Sequence, residues 1–159
     1  MDINHDGNFK LSGRILFEVH DKDGNLKDRR EVNNLVVSAG KAIAAGLINT
    51  AVANAIKYIA IGTGAVAPSA GDTALGSEIT TGGGARLLAT TLNRVTTTVT
   101  NDTAQWIVTF SFSSSFAVTE SGLFDQLAVG GNMLARQTFT TINVVNTDSL
   151  TVTWKVQCS

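Results

Sequence analysis

The chain is 159 residues long, 43% hydrophobic and only 16% charged, with a formal net charge of −1. That length suits one domain able to bury ~70% of the surface its unfolded chain exposes. The near-neutral balance excludes a global field drawing it to nucleic acid or anionic lipid. A single cysteine, Cys158, excludes an intramolecular disulfide and a thiolate zinc site. The polar, acidic residues 1–7 do not read as a signal peptide, and no run approaches the ~20 apolar residues of a membrane span. A soluble protein kept in the compartment of its synthesis is expected.

In chain order, Asp2, Asn4, Asp6 and Gly7 stand at positions one, three, five and six of a calcium loop. Position twelve is Gly13 where a bidentate carboxylate belongs, so residues 1–8 read as a polar N-terminal arm turning at Asp6-Gly7. The single domain is expected over residues 9–159. From Phe9 to His20 the chain alternates, with Ile15, Phe17 and Val19 on one side. Asp23-Gly24 supplies a hairpin turn, and a returning strand over residues 26–35 carries Lys27, Asp28, Arg29, Arg30 and Glu31. Residues 1–31 hold 6 of the 12 basic and 7 of the 13 acidic side chains. A mixed-charge strand of this kind is a solvated or partner-facing edge.

Ser38 is the expected N-cap of a helix over residues 39–49. That helix is apolar on nearly all sides, with Ala44, Ala45 and Ile48 opposite Ala39, Ala42 and Ile43, which predicts burial on more than one side. Next, Ile59 and Ile61 alternate with Tyr58 and Ala60 in a short strand, leading into a loop punctuated by Gly62, Gly64, Pro68 and Gly71. A long hairpin is expected over residues 86–100 and 104–113, turning at Asn101-Asp102, with Trp106, Val108, Phe110 and Phe112 inward. Strands over residues 118–127, 133–139 and 150–158 complete about eight. β-branched alternation with short turns predicts a mainly β, antiparallel sandwich of jelly-roll or Greek-key winding with one short helix. Its expected core is Phe17, Val19, Ile59, Trp106, Val108, Phe110, Phe124, Phe139 and Trp154.

Candidate chemistry is sparse. No histidine follows His20, so a His-based triad or metal cluster lacks residues. Gly62-Thr63-Gly64 follows a strand but lacks the third glycine and the lysine of a phosphate loop. Glu120 and Asp125 are close enough in sequence to be paired glycosidase carboxylates, but the aromatics fall at core phase rather than along a groove. No enzyme, metal or cofactor is expected.

Three stretches carry a resemblance. They are Tyr58-Ile59-Ala60-Ile61-Gly62-Thr63-Gly64 with Pro68, Gly71-Asp72-Thr73-Ala74-Leu75 and Glu78; Glu120-Ser121-Gly122-Leu123-Phe124-Asp125 with Gly131-Asn132-Met133-Leu134-Ala135-Arg136 and Phe139; and the closing Leu150-Thr151-Val152-Thr153-Trp154. Together this ordered set resembles a family of tailed-bacteriophage virion proteins, over about residues 26–156. The resemblance implies a structural role: a capsid decoration or cement protein on the outer shell, made in the host cytoplasm and bound to the major capsid protein. Its alternative is a tail-fibre, collar or baseplate module that binds tail or neck proteins. A homo-oligomer, dimer or trimer, is expected, without direct nucleic-acid or membrane contact. The residues expected at the interface are Arg14, Lys27, Asp28, Arg29, Arg30, Glu31, Ala44, Ala45 and Ile48, helped by the apolar loop over residues 65–70.

Overall fold

The structure, a computed structural model, describes residues 10–49 and 54–159. The expected N-terminal arm and its partial calcium motif lie outside the described residues.

Nine strands and one helix follow one another: β1 (Leu11–His20), β2 (Leu26–Val36), α1 (Ser38–Ile48), β3 (Tyr58–Gly62), β4 (Leu87–Leu88), β5 (Thr91–Val95), β6 (Thr103–Ser111), β7 (Phe116–Phe124), β8 (Met133–Val144) and β9 (Ser149–Cys158). The fold is mainly β, with one short helix, as the alternation predicts. All strands belong to one curled antiparallel sheet in the order β4-β3-β7-β8-β2-β1-β9-β6-β5. β2 joins its two limbs, pairing with β1 over most of its length and with β8 only at Leu35 and Val36. The two ends of the sheet are consecutive pieces of one segment. β4 pairs with β3, β5 pairs with β6, and between them Ala89 N–H donates to Lys57 O and Thr90 N–H to Ile107 O.

β6–β7 and β8–β9 form a long two-stranded ribbon that doubles over near Phe112 and Asp148, where Phe112 N–H donates to Asp148 O and Thr147 N–H to Phe112 O. The fold-over lays the inner faces of both limbs on one core. Ile15, Phe17, Phe110, Val152 and Trp154 come from one limb and meet Ile59, Ile61, Val118, Leu123 and Ile142 from the other. Two indole N–H groups stitch the limbs. Trp106 donates to Ile56 O at 2.8 Å and Trp154 to Ser121 Oγ at 3.1 Å. A buried donor left unpaired would be costly, so these bonds are what permit tryptophan in the core.

Several expectations are corrected. Ser38 does not cap the helix: Val37 is the N-cap, no side chain caps it, and Ser38 N–H instead donates to Ala70 O. The 86–100 arm is broken into β4, β5 and a loop, because its residues serve both ends of the sheet in turn. The 133–139 strand runs on to Val144. Phe139 is only partly buried, packed on Phe17 with ring centroids 4.2 Å apart; Phe124 is fully buried as expected, but in a second, smaller core cluster with Val37, Ala60, Leu75 and Met133. The helix buries only Gly40, Ile43 and Gly46; its last two residues are open, with Ile48 80% exposed. No described helix is long and apolar enough to cross a membrane.

Candidate functional site

The outer face of β3, β7 and β8 is where the unusual residues converge. Ala60 and Gly122 face each other there, and their small size lets the loop after β3 lie close over the sheet. The register shifts between Val118 and Glu120, so these residues part company: Val118 enters the main core and Glu120 turns under the loop. Glu120 is completely buried. Its Oε1 accepts from Gly64 N–H at 2.9 Å and Ser77 N–H at 2.7 Å, and its Oε2 from Gly76 N–H at 2.9 Å. Arg136 on β8 donates to Oε2 through Nε at 3.0 Å and Nη2 at 2.8 Å. The same guanidinium donates to Asp72 Oδ2 at 2.6 Å and Val66 O at 3.0 Å.

One carboxylate and one arginine therefore hold Gly64, Val66, Asp72, Gly76 and Ser77. Burial pushes the Glu120 carboxyl up, but the three N–H donors and Arg136 outweigh it and hold it below the usual carboxylate range. Burial likewise works against the Arg136 cation, and its two carboxylate partners raise it further above its ordinary value. Asp72 is held low by Ser69 N–H first and by Arg136 as well.

A second buried arginine repeats the device. Arg86 forms a two-pronged bond with Glu78 at 2.9 and 2.7 Å and donates to the carbonyls of Gln126, Ala128 and Gly130 at 2.9–3.0 Å. Its guanidinium carbon lies 3.7 Å from the Phe124 ring centre. Asp125, which the sequence pairs with Glu120 as a candidate acid, instead closes this same loop by accepting from Asn132 N–H and Nδ2, both at 2.8 Å. Glu120 and Asp125 thus serve different loops, and Glu120 has its acceptor sites taken. Gly64 of Gly62-Thr63-Gly64 does give its N–H to an anion, but that anion is the Glu120 carboxylate. Among the described residues, no group of three or more His, Cys, Asp or Glu is placed to hold a metal.

The nine residues expected at an interface fall on three surfaces. Arg14, Arg29 and Glu31 lie on the outer face of β1 and β2 and line an open polar groove of about 600 Å³ with Asn33, Lys155 and Gln157. There Arg14 pairs with Glu31 at 2.9 Å, and Arg29 makes a 3.4 Å contact with Glu18. Asp28 and Arg30 share the inward-facing side with Val19 and Phe17, at the divide between β2 and β8. Arg30 pairs with Asp28 at 2.8 Å and donates to Thr140 of β8. Inward charge at a partly unpaired edge blocks intrusion by another strand. Lys27 is the extra residue of a bulge opposite Val19 and His20, and it pairs with buried Asp148. Ala44, Ala45 and Ile48 stand apart, on a groove beside the helix.

Arg136, Asp72 and Glu78 stand in the motif stretches with no role assigned by sequence, and Arg86 stands outside them. A signal was present: between Lys57 and Lys155 the only basic residues are Arg86, Arg94 and Arg136. Two of these three, Arg86 and Arg136, are buried in bidentate work that suits arginine over lysine, while Arg94 is exposed. No protein-family model and no curated protein matches the chain.

Proposed function

We propose that this chain is a phage virion structural protein, a capsid decoration protein that attaches to the outer shell and stabilises contacts between capsomers. The single observation that carries the reading is the Glu120–Arg136–Asp72 network. Residues from two separate motif stretches of the resemblance, around Gly64 and Asp72 and around Glu120 and Arg136, are joined in one buried unit. Its role is to hold a loop in shape with both Glu120 oxygens engaged, which suits a structural motif. The doubled-over ribbon, with two limbs sharing one core, further supports a sandwich of jelly-roll winding. The exposed charges of Arg14, Arg29 and Glu31 suit register-setting contacts with the major capsid protein. The second reading, a tail-fibre, collar or baseplate module, rests on the same motif.

Localisation on intact particles separates the two. Density or antibody label on the shell supports decoration, and label confined to the tail or neck overturns it in favour of the module.

A further inference from the structure

We propose that the polar groove on the outer face of β1, β2 and β9 is a socket for an acidic peptide segment of the protein's partner. The owner of that segment rests on the attachment role above; its chemistry rests on the groove alone. The groove, about 600 Å³, has four charged lining residues, Arg14, Arg29, Lys155 and Glu31. Three cations face one acid.

The sharper sign is a charge conflict built into the sheet. Arg14 and Lys155 stand directly opposite each other across β1 and β9, on the face away from Ile15 and Trp154 of the core. Like charges in register destabilise a sheet. Arg14 gives one N–H to Glu31, at 2.9 Å, and keeps its other donors. Lys155 is exposed and has no hydrogen-bond or ion-pair partner among the described residues. Two further acids lie at the margins and are engaged elsewhere. Glu18 touches Arg29 at 3.4 Å, and Asp102 accepts from the N–H groups of Thr97, Thr98 and Val99 and from Thr103 and Gln157. An anion seated between Arg14 and Lys155 replaces their repulsion with two attractions.

The surroundings select the class of anion. Phosphate sites are commonly built from converging backbone N–H groups. Here β1 and β9 are paired along their whole shared length, so the donors are side chains spread over three strands. No aromatic side chain lines the groove, which removes the stacking surface a nucleobase needs. Three cations are also few for a nucleic-acid backbone. Carboxylates carried on an extended chain fit better: alternate side chains stand ~7 Å apart, and Asn33 and Thr153 flank the cations with groups able to bond the segment's backbone.

Hexaglutamate, an oligogalacturonate of equal charge and inorganic phosphate are titrated separately into the isotope-labelled free protein, with amide signals of Arg14, Asn33 and Lys155 followed by NMR. Saturable shifts at these three with hexaglutamate, fading as salt rises, are expected. Lys155→Gln should weaken binding by ~2- to 5-fold, and Glu31→Gln should strengthen it by a similar factor. Lys155→Gln should also hold or raise the melting temperature, because it ends the cross-strand repulsion; that separates a lost contact from lost structure. Lys22→Gln, in the turn between β1 and β2, should bind as the native chain does. No saturable shift, or undiminished binding by Lys155→Gln, overturns the proposal. So does an equal response to oligogalacturonate or phosphate, which would make the groove an acidic-glycan or oxyanion site. These titrations need no particle. Hexaglutamate bound in the groove of a protein found on the tail keeps this inference and removes the decoration role, and a shell-bound protein whose groove ignores the peptide does the reverse.

Discussion

At Gly64 a methyl group would collide with the Glu120 carboxylate, and at Gly62 it would stand 2.5 Å from both Glu120 Oε1 and Ser77 O. The spacing Gly-x-Gly is therefore set by a buried side chain that arrives from 56 residues further along the chain. Gly64→Ala should cost ~1–3 kcal/mol by overpacking, measured by urea unfolding. Arg136→Met is the sharper test. It leaves Glu120 charged and buried with only N–H partners, and removing one member of such a pair costs ~3–5 kcal/mol. Depressed carboxyls, two of them in this network, also set an acid limit. Asp72, Asp102 and Glu120 all have carboxyls held below their ordinary values: Asp72 by Ser69 N–H first, Asp102 by Val99 N–H first, and Glu120 by backbone N–H donors and Arg136 against its burial. A carboxylate with a depressed folded value contributes stability that is complete above its unfolded value of about 4 and is lost as pH falls through the folded one. Melting temperature should thus be level above about pH 5 and decline on the acid side. Glu120→Gln should start lower and decline less steeply. An unchanged acid slope in that variant would show that Glu120 is not the controlling group.

At the level of elements, strand alternation was legible because its period is two and the side chains obey it. Trp106, Val108 and Phe110 on β6 and Leu150, Val152 and Trp154 on β9 all face the core. Phe110→Ala should therefore cost ~3–5 kcal/mol; a denaturant midpoint close to that of the native chain would remove Phe110 from the core. What alternation does not carry is which strands neighbour which. The double duty of residues 87–95, serving first β3 and then β6, depends on partners 28 and 30 residues away for the first and on the curl of the whole sheet for the second. The helix start was misread for a local reason. Ser38 is a good capping residue by type, yet its N–H is taken by Ala70, and the chain enters the helix one residue earlier at Val37. The candidate site was half legible. Asp72, Glu78, Glu120 and Arg136 stand in the motif stretches and Arg86 does not, and a buried ion pair leaves no periodic trace.

For the whole molecule, the division of labour between buried and exposed charge decides how attachment can be tested. Arg86 and Arg136 are needed by the fold, and Lys27 and Arg30 are committed to Asp148, Asp28 and Thr140. Reversing Arg30 would therefore disturb the divide between β2 and β8 along with any interface. Arg14 and Arg29 are different. Both are exposed, their partners Glu31 and Glu18 are partly exposed too, and such pairs contribute ~0–1 kcal/mol to stability. On the proposed decoration role, Arg14→Glu with Arg29→Glu should leave the melting curve nearly unchanged while lowering occupancy on purified particles. The loss should be largest at low salt, where charges across an interface are least screened, and the native protein's own occupancy should fall as salt rises. The control is Lys22→Glu, in the turn between β1 and β2, where the lysine pairs with its neighbour Asp23; it should bind as the native chain does. Equal occupancy of the double reversal and the native chain across the salt series would take the outer face of β1 and β2 out of the attachment surface. The neutral loop over residues 65–70, which Arg136 and Asp72 hold in shape, would then be the next surface to vary, starting with Val66, 76% exposed.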